Sequence, residues 1–232
     1  MMEPDYGETW AYESIIGALP GIDLSPGGAI AIQLAVFEVA VLGLGWYYDL
    51  RTAAVAGTAA VVVAALGSAE MLRISAAARQ PETPEPYRRL LFGSSIEVVL
   101  SVLAFVALVT HLFVFDLGSS EPLVDTLFGS EPPTLAVYLM LLILWDLCYR
   151  IGPGWWAAVV GLWRSIRYRF DARTAAVLRR ADREAVVFGL LQLPLLPFLT
   201  EQPVLFAALA AHVAAVLVVS GSSLVLLRRR EY

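Results

Sequence analysis

The sequence contains no lysine: all 16 basic residues among its 232 positions are arginines. That absence excludes a retinal Schiff base, a pyridoxal enzyme and a P-loop nucleotide site, each of which depends on a lysine amine. Cys148 is the single cysteine, so no disulfide closes within the chain. The two histidines, His111 and His212, leave too few ligands for a zinc site. Charge is scarce as well, at 16% of residues, against about 25% in soluble domains. The first 28 residues hold Glu3, Asp5, Glu8, Glu13 and Asp23 with no basic residue, so the positive start of a signal peptide is missing there.

Apolar residues, by contrast, make up 59% of the chain, and the mean hydropathy is +0.71. A water-soluble globule of this size has no interior large enough to hide that surface. Disorder, collagen-like repeats and disulfide scaffolds are excluded by the same composition. The expected fold is all-α: a polytopic membrane bundle of six transmembrane helices. An acidic segment over residues 1–28, with a short interfacial helix over 9–19 carrying Trp10 and Tyr12, would precede a single membrane domain over 29–232. The acids outnumber the arginines, giving a net charge of −5. Arginine without lysine, with abundant Ala and Val, points to a prokaryote with a GC-rich genome, and the acidic excess to a salt-rich habitat.

A spanning helix needs about 20 mostly apolar residues. The expected spans cover about 29–48, 52–72, 90–115, 134–151, 185–199 and 203–227. The fifth is short and contains Pro194 and Pro197, so it is expected to be kinked or irregular. With the N-terminus inside, fifteen of the 16 arginines fall on one side, and only Arg51 lies opposite. The two later loops of that opposite side carry Asp116, Glu121, Asp125, Glu131 and Glu201 with no basic residue. The positive-inside rule therefore orients both termini to the cytoplasm of the cell membrane.

Between the fourth and fifth spans, Gly152-Pro153-Gly154 is expected to kink the helix, and residues 155–183 to form an amphipathic helix on the cytoplasmic interface. Arg164, Arg167, Arg169, Arg173, Arg179, Arg180 and Arg183 face Asp171 and Asp182 in that stretch, a net charge of +5. Those seven are candidates for contact with anionic lipid. A solvated connector obeying the positive-inside rule explains them as well.

Ionisable residues inside a bilayer are costly and default to functional candidates. Glu38 lies mid-way along the first span, five residues after Gln33. Ser94, Glu97, Ser101, Ala104, Leu108 and His111 recur at three- and four-residue steps, along one stripe of the third helix. Asp146 and Arg150 stand at i and i+4 on the fourth, where Arg150 has the reach to bridge Glu97 and Asp146. Gln192 falls in the fifth span and His212 in the sixth, either of them a prospective partner for Glu38. Small residues four apart in the second span (Ala53 and Gly57, Ala64 and Ser68) and the sixth (Ala207, Ala211, Ala215) read as helix-packing faces.

Three function classes follow. The first is a small transporter or channel using Glu38 and Glu97 for protons or cations, with Asp146 and Arg150 as gate or clamp. The second is a non-catalytic scaffold or accessory subunit whose polar residues specify packing. A membrane enzyme or haem protein is third. The two histidines sit at depths differing by roughly 8 Å at 1.5 Å per residue, an awkward offset for the axial ligands of one iron. No cofactor, metal or nucleic acid is expected. The expected partners are the lipid bilayer, a second copy of the chain or another membrane protein.

Overall fold

A computed structural model of the chain describes residues 25–80, 83–119 and 121–229. The acidic segment and its 9–19 helix lie outside these residues, apart from the last four positions before 29. Every regular element described is helical. In chain order they are α1 (Pro26–Tyr47), α2 (Arg51–Ala78), α3 (Glu85–Phe92), α4 (Ile96–Thr110), α5 (Leu123–Phe128), α6 (Thr134–Arg167), α7 (Ala172–Leu190) and α8 (Pro203–Arg229). A π-helical turn (His111–Phe115) and a 3-10 turn (Asp116–Gly118) extend α4, and a second 3-10 segment (Leu193–Leu199) follows α7. Among the described residues five stretches are long and apolar enough to cross a membrane: α1, α2, the run Glu85–Gly118, α6 and α8. Their outward faces are unusually apolar, with Val39 72%, Trp46 86% and Val218 67% exposed. Soluble monomers rarely expose contiguous patches of that kind.

The first two helices form a hairpin. Ser25 caps α1 by accepting from the Gly28 amide at 3.1 Å, and Pro26 sits in the first turn, where its missing N–H costs nothing. Asp49 makes the turn with a left-handed φ of 53°, a conformation Asp tolerates better than most side chains. The small residues then set the approach. A Cβ on Gly45 would come within 2.7 Å of the Ala54 Cβ, and one on Gly57 within 2.9 Å of a Val41 methyl. The packing face read from Ala53 and Gly57 is this seam. The Ala207–Ala211 face of α8 is different: both alanines point outward and are exposed.

The expected third span over 90–115 is divided. Ser95 takes a left-handed φ of 55°, so α3 ends near Phe92 and the long helix starts afresh at Ile96. The fourth is longer than expected. α6 runs unbroken through Pro153 for 34 residues, about 51 Å at 1.5 Å per residue. Its continuation is part of the same helix and packs into the bundle, with Ala157, Ala158, Val160, Gly161, Arg164 and Ser165 all buried. Pro153 removes the hydrogen bond owed to the Tyr149 carbonyl, and Ser101 of α4, whose hydroxyl donates to the Glu97 carbonyl at 2.7 Å, also approaches that carbonyl at 3.3 Å. Gly152 makes room for this contact, since a Cβ there would lie 2.1 Å from Ser101 Oγ and 2.4 Å from the Glu97 carbonyl oxygen.

The remainder of the expected 155–183 interface helix belongs to α7, which continues to Leu190 and takes in the start of the expected fifth span. Leu178, Ala181, Asp182, Ala185 and Phe188 form its buried face. Asp171 opens this helix, its carboxylate accepting from the Arg173 and Thr174 amides at 2.9 and 3.0 Å and from Thr174 Oγ1 at 2.8 Å. Those bonds hold its carboxyl below the usual aspartate range, the Thr174 amide foremost. Past Leu190 the prolines Pro194 and Pro197 forbid a regular α-helix, and the chain proceeds as a 3-10 segment. The aromatic ring of Phe188 fills a notch: Cβ atoms on Gly154 and Gly67 would meet it at 2.2 and 3.1 Å.

Contacts distinguish the two ends of the bundle. At one, which gathers Asp116, Glu121 and Glu201, Gln202 donates to the Glu121 carbonyl at 2.5 Å. At the other, Arg164 of α6 meets Asp182 of α7 at 2.5 Å, and Ser223 of α8 donates to the same carboxylate at 2.6 Å. The stretch from Asp182 to Gln202 thus runs from the arginine-rich end to the acidic end.

Candidate functional site

Four polar sites and one cavity are built on this frame. The first polar site is the α1–α2–α6 junction. Arg150 pairs with Asp146 one turn earlier, donates from Nε to Ser68 Oγ at 2.6 Å, and donates to Gln33 Oε1 at 3.2 Å. Gln33 in turn donates to Asp146 Oδ1 at 2.8 Å. The expected bridge to Glu97 is not made. Arg150 and Gly152 are two residues apart and so about 200° apart around α6. Gly152 abuts the Glu97 turn of α4, and the guanidinium therefore faces away from it, towards α2.

Glu97 is 4% exposed, and its Oε2 meets no hydrogen-bond partner among the described residues. Glu38 finds its partner on the neighbouring helix of its own hairpin: Thr58 donates to Oε1 at 2.8 Å. Neither Gln192 nor His212 serves it, because α1 packs on α2 and α6 rather than on α7 and α8. Its Oε2 is likewise enclosed without a partner among the described residues.

The fourth site, at the arginine-rich end, was not anticipated. Arg164 is wholly buried rather than lipid-facing, which removes it from the proposed lipid-contact set. It donates to Asp182 at 2.5 Å, to the Tyr87 hydroxyl at 2.9 Å and to the Leu178 carbonyl at 3.3 Å, with the Tyr87 ring 5.0 Å from its guanidinium carbon. Ser223 links Asp182 to Ser165, at 2.6 and 2.8 Å. Four helices, α3, α6, α7 and α8, are tied together there. The signal was present in the spacing, since Asp182 falls one turn after Leu178 on the apolar stripe of its helix. Arg167, Arg169, Arg173, Arg180 and Arg183 do remain exposed, and Arg179 is half-buried.

The cavity occupies the centre of the bundle towards the acidic end. Its volume is about 570 Å³, and every long helix contributes to its wall. The lining is overwhelmingly aliphatic, as with Leu44, Ala104, Ile143 and Leu205, and its polar groups are few: His111, Arg150, Gln192 and His212. Cys148 also reaches it. The structure therefore brings four of the seven predicted ion-site residues to one chamber. Glu38, Glu97 and Asp146 are not among its lining. His111 opens the π-helical turn at the end of α4, an irregularity that re-aims side chains and recurs at functional sites. The polar stripe of α4 does face inward: Glu97 and Ser101 are buried, and Ala104, Leu108 and His111 line the chamber.

Two orphaned polar atoms stand out in the wall. Gln192 is 3% exposed, its amide nitrogen donates to the Phe188 carbonyl at 3.4 Å, and its Oε1 has no partner among the described residues. His212 Nε2 is enclosed and likewise unpartnered there, while its ring lies 6.1 Å from that of Trp155. Among the described residues no group of three or more His, Cys, Asp and Glu side chains is placed to hold a metal ion.

Fold and cavity together define a class, an all-helical bundle with membrane-length helices around an apolar chamber. The chain belongs to a family of unknown function, DUF7530, whose model matches residues 5–223. No curated protein and no solved structure matches it.

Proposed function

We propose that this chain is a six-crossing protein of the cell membrane, with both termini at the cytoplasmic face, that binds and carries an apolar molecule in its central chamber. The sixth crossing in this reading is α7 with its 3-10 extension, which runs from the Arg164–Asp182 contact to the Gln202–Glu121 contact. The observation that carries the ligand reading is the chamber itself. At about 570 Å³ it lies within the 300–1,000 Å³ of typical small-molecule sites and has their makeup, apolar walls with a few polar groups.

The test uses the full chain in detergent with diphenylhexatriene as an apolar probe. Trp155 packs against His212 of the chamber wall, so tryptophan-to-probe energy transfer reports occupancy. Transfer should saturate near one probe per chain and be lost in Ala104→Phe combined with Ala208→Phe, both chamber-lining positions. Transfer that stays unsaturable, or is unchanged in the double variant, overturns the reading. A second reading, proton or cation passage, has the enclosed Glu97 in its favour. It predicts that Glu97→Gln abolishes ion flux in vesicles while the protein stays folded, and full flux in that variant removes Glu97 from the mechanism.

A further inference from the structure

From the chamber's two orphaned polar atoms we infer the chemical class of its ligand: a neutral, long-chain molecule carrying a hydroxyl group, seated with that hydroxyl between Gln192 and His212. The inference rests on the ligand reading above. Its first support is the level of the two side chains. α7 and α8 flank a short link and run antiparallel, and a Cβ on Gly189 would meet Val216 at 3.1 Å. One turn towards the link from Gly189 is Gln192, and one turn towards the link from Val216 is His212. The two residues therefore line the chamber at the same height, with their orphaned atoms enclosed in its wall, so that a turn of each side chain brings them to the ligand hydroxyl.

Their chemistry is complementary to a hydroxyl. Gln192 directs its amide nitrogen at the Phe188 carbonyl, which leaves Oε1 as a pure acceptor in need of a donor. His212 Nε2, as N–H, offers a donor to an oxygen. A hydroxyl both donates and accepts, and it satisfies the two at once. A ketone, quinone or ether supplies no donor and leaves Gln192 Oε1 orphaned, a costly state for a buried polar group. An anionic head has no claim on the site, because Arg150, the cation of the chamber wall, is already paired with Asp146. The volume sets the length. At the roughly 30 Å³ share of a water-sized unit in a liquid, 570 Å³ holds on the order of 15–20 carbon-sized groups.

The decisive comparison is between hexadecanol, its methyl ether and hexadecane, each competing with diphenylhexatriene for the full-length protein. Hexadecanol should displace the probe at about tenfold lower concentration than the ether or the hydrocarbon, the worth of one or two buried hydrogen bonds. Gln192→Met and His212→Phe keep the volume and remove the polar atoms, and each should erase that preference while retaining hexadecane binding. If all three compounds displace the probe equally, the hydroxyl inference is overturned and the apolar chamber stands. It is overturned in the same way if both variants keep the preference. If none displaces it, the chamber reading falls, and this inference with it.

Discussion

The arginine-rich end and the central chamber are both lined by α6, α7 and α8, yet they differ in how far their polar groups are engaged. Around Arg164 the carboxylate of Asp182 has both oxygens engaged, by Arg164 and by Ser223, although Arg164 Nε meets no partner among the described residues. Around Gln192 and His212, further along the same helices, polar atoms lack partners among the described residues and space is left open. A bundle that wanted only stability would have closed the second region. The contrast separates a structural lock from a site that is complete only with a ligand.

Breaking the lock should have the largest effect. Asp182→Ala leaves the Arg164 cation buried without its counter-ion, and such a change costs about 3–5 kcal/mol. The thermal unfolding midpoint in detergent should drop sharply, whereas Gln192→Met and His212→Phe should leave it within a few degrees. If the chamber variants prove as damaging as Asp182→Ala, the chamber is part of the structural core and the contrast fails.

Next in size is the α4–α6 seam. Gly152→Ala places a methyl 2.4 Å from the Glu97 backbone oxygen, and backbone cannot step aside as a flexible side chain does. Overpacking of this kind costs about 1–3 kcal/mol, readable as a fall in unfolding midpoint. Gly43→Ala is the control: a Cβ there meets nothing within 4 Å, and it should be neutral or slightly stabilising because alanine is the better helix former. Equal midpoints for the two variants would show that α4 and α6 approach less closely than the structure has them.

Filling the chamber sharpens the comparison from the other side. Ala104→Leu adds apolar volume to open space, so the unfolding midpoint should hold or rise while apolar-probe binding weakens. A midpoint falling by as much as that of Gly152→Ala would mean that the chamber is already closed in solution.

Much of the frame was legible in the residues themselves. Hydropathy placed the starts of four of the six expected spans to within about three residues, and the Ala–Gly spacing of 53 and 57 announced the first hairpin seam. Two features escaped. Pro153 signalled a break, but the Tyr149 carbonyl it no longer serves is approached by Ser101, a contact 48 residues distant that no local pattern encodes. The arginine run of 164–183 read as one amphipathic face because periodicity sees a helix as isolated. Arg164 lies on a helix that penetrates the core, Arg167 at the exposed end of that helix, Arg169 on the link and the others on α7. Asp146–Arg150 was legible from i, i+4 spacing, whereas the choice of Gln33 and Ser68 over Glu97 depended on helix rotation. The chamber was not legible at all, since empty space is a property of how neighbouring helices fail to meet.

The smallest expected effect lies at the start of α7, where the lock's Asp182 is carried on a helix opened by Asp171. Three hydrogen bonds to its carboxylate depress the pKa of Asp171 in the folded protein. A group with a lowered folded pKa contributes stability above its unfolded pKa, near 3.9 for aspartate, and that contribution is lost as pH falls through the folded value. Asp171→Asn retains a capping side chain without the charge, so its stability should vary less with pH below about 4 than that of the wild-type protein. Hydrogen exchange of the Arg173 and Thr174 amides reads this locally: wild-type protection should decline on acidification more than the variant's, with chamber binding the same in both. Parallel decline in the two proteins would show that the Asp171 carboxylate is not what makes the start of this helix sensitive to acid.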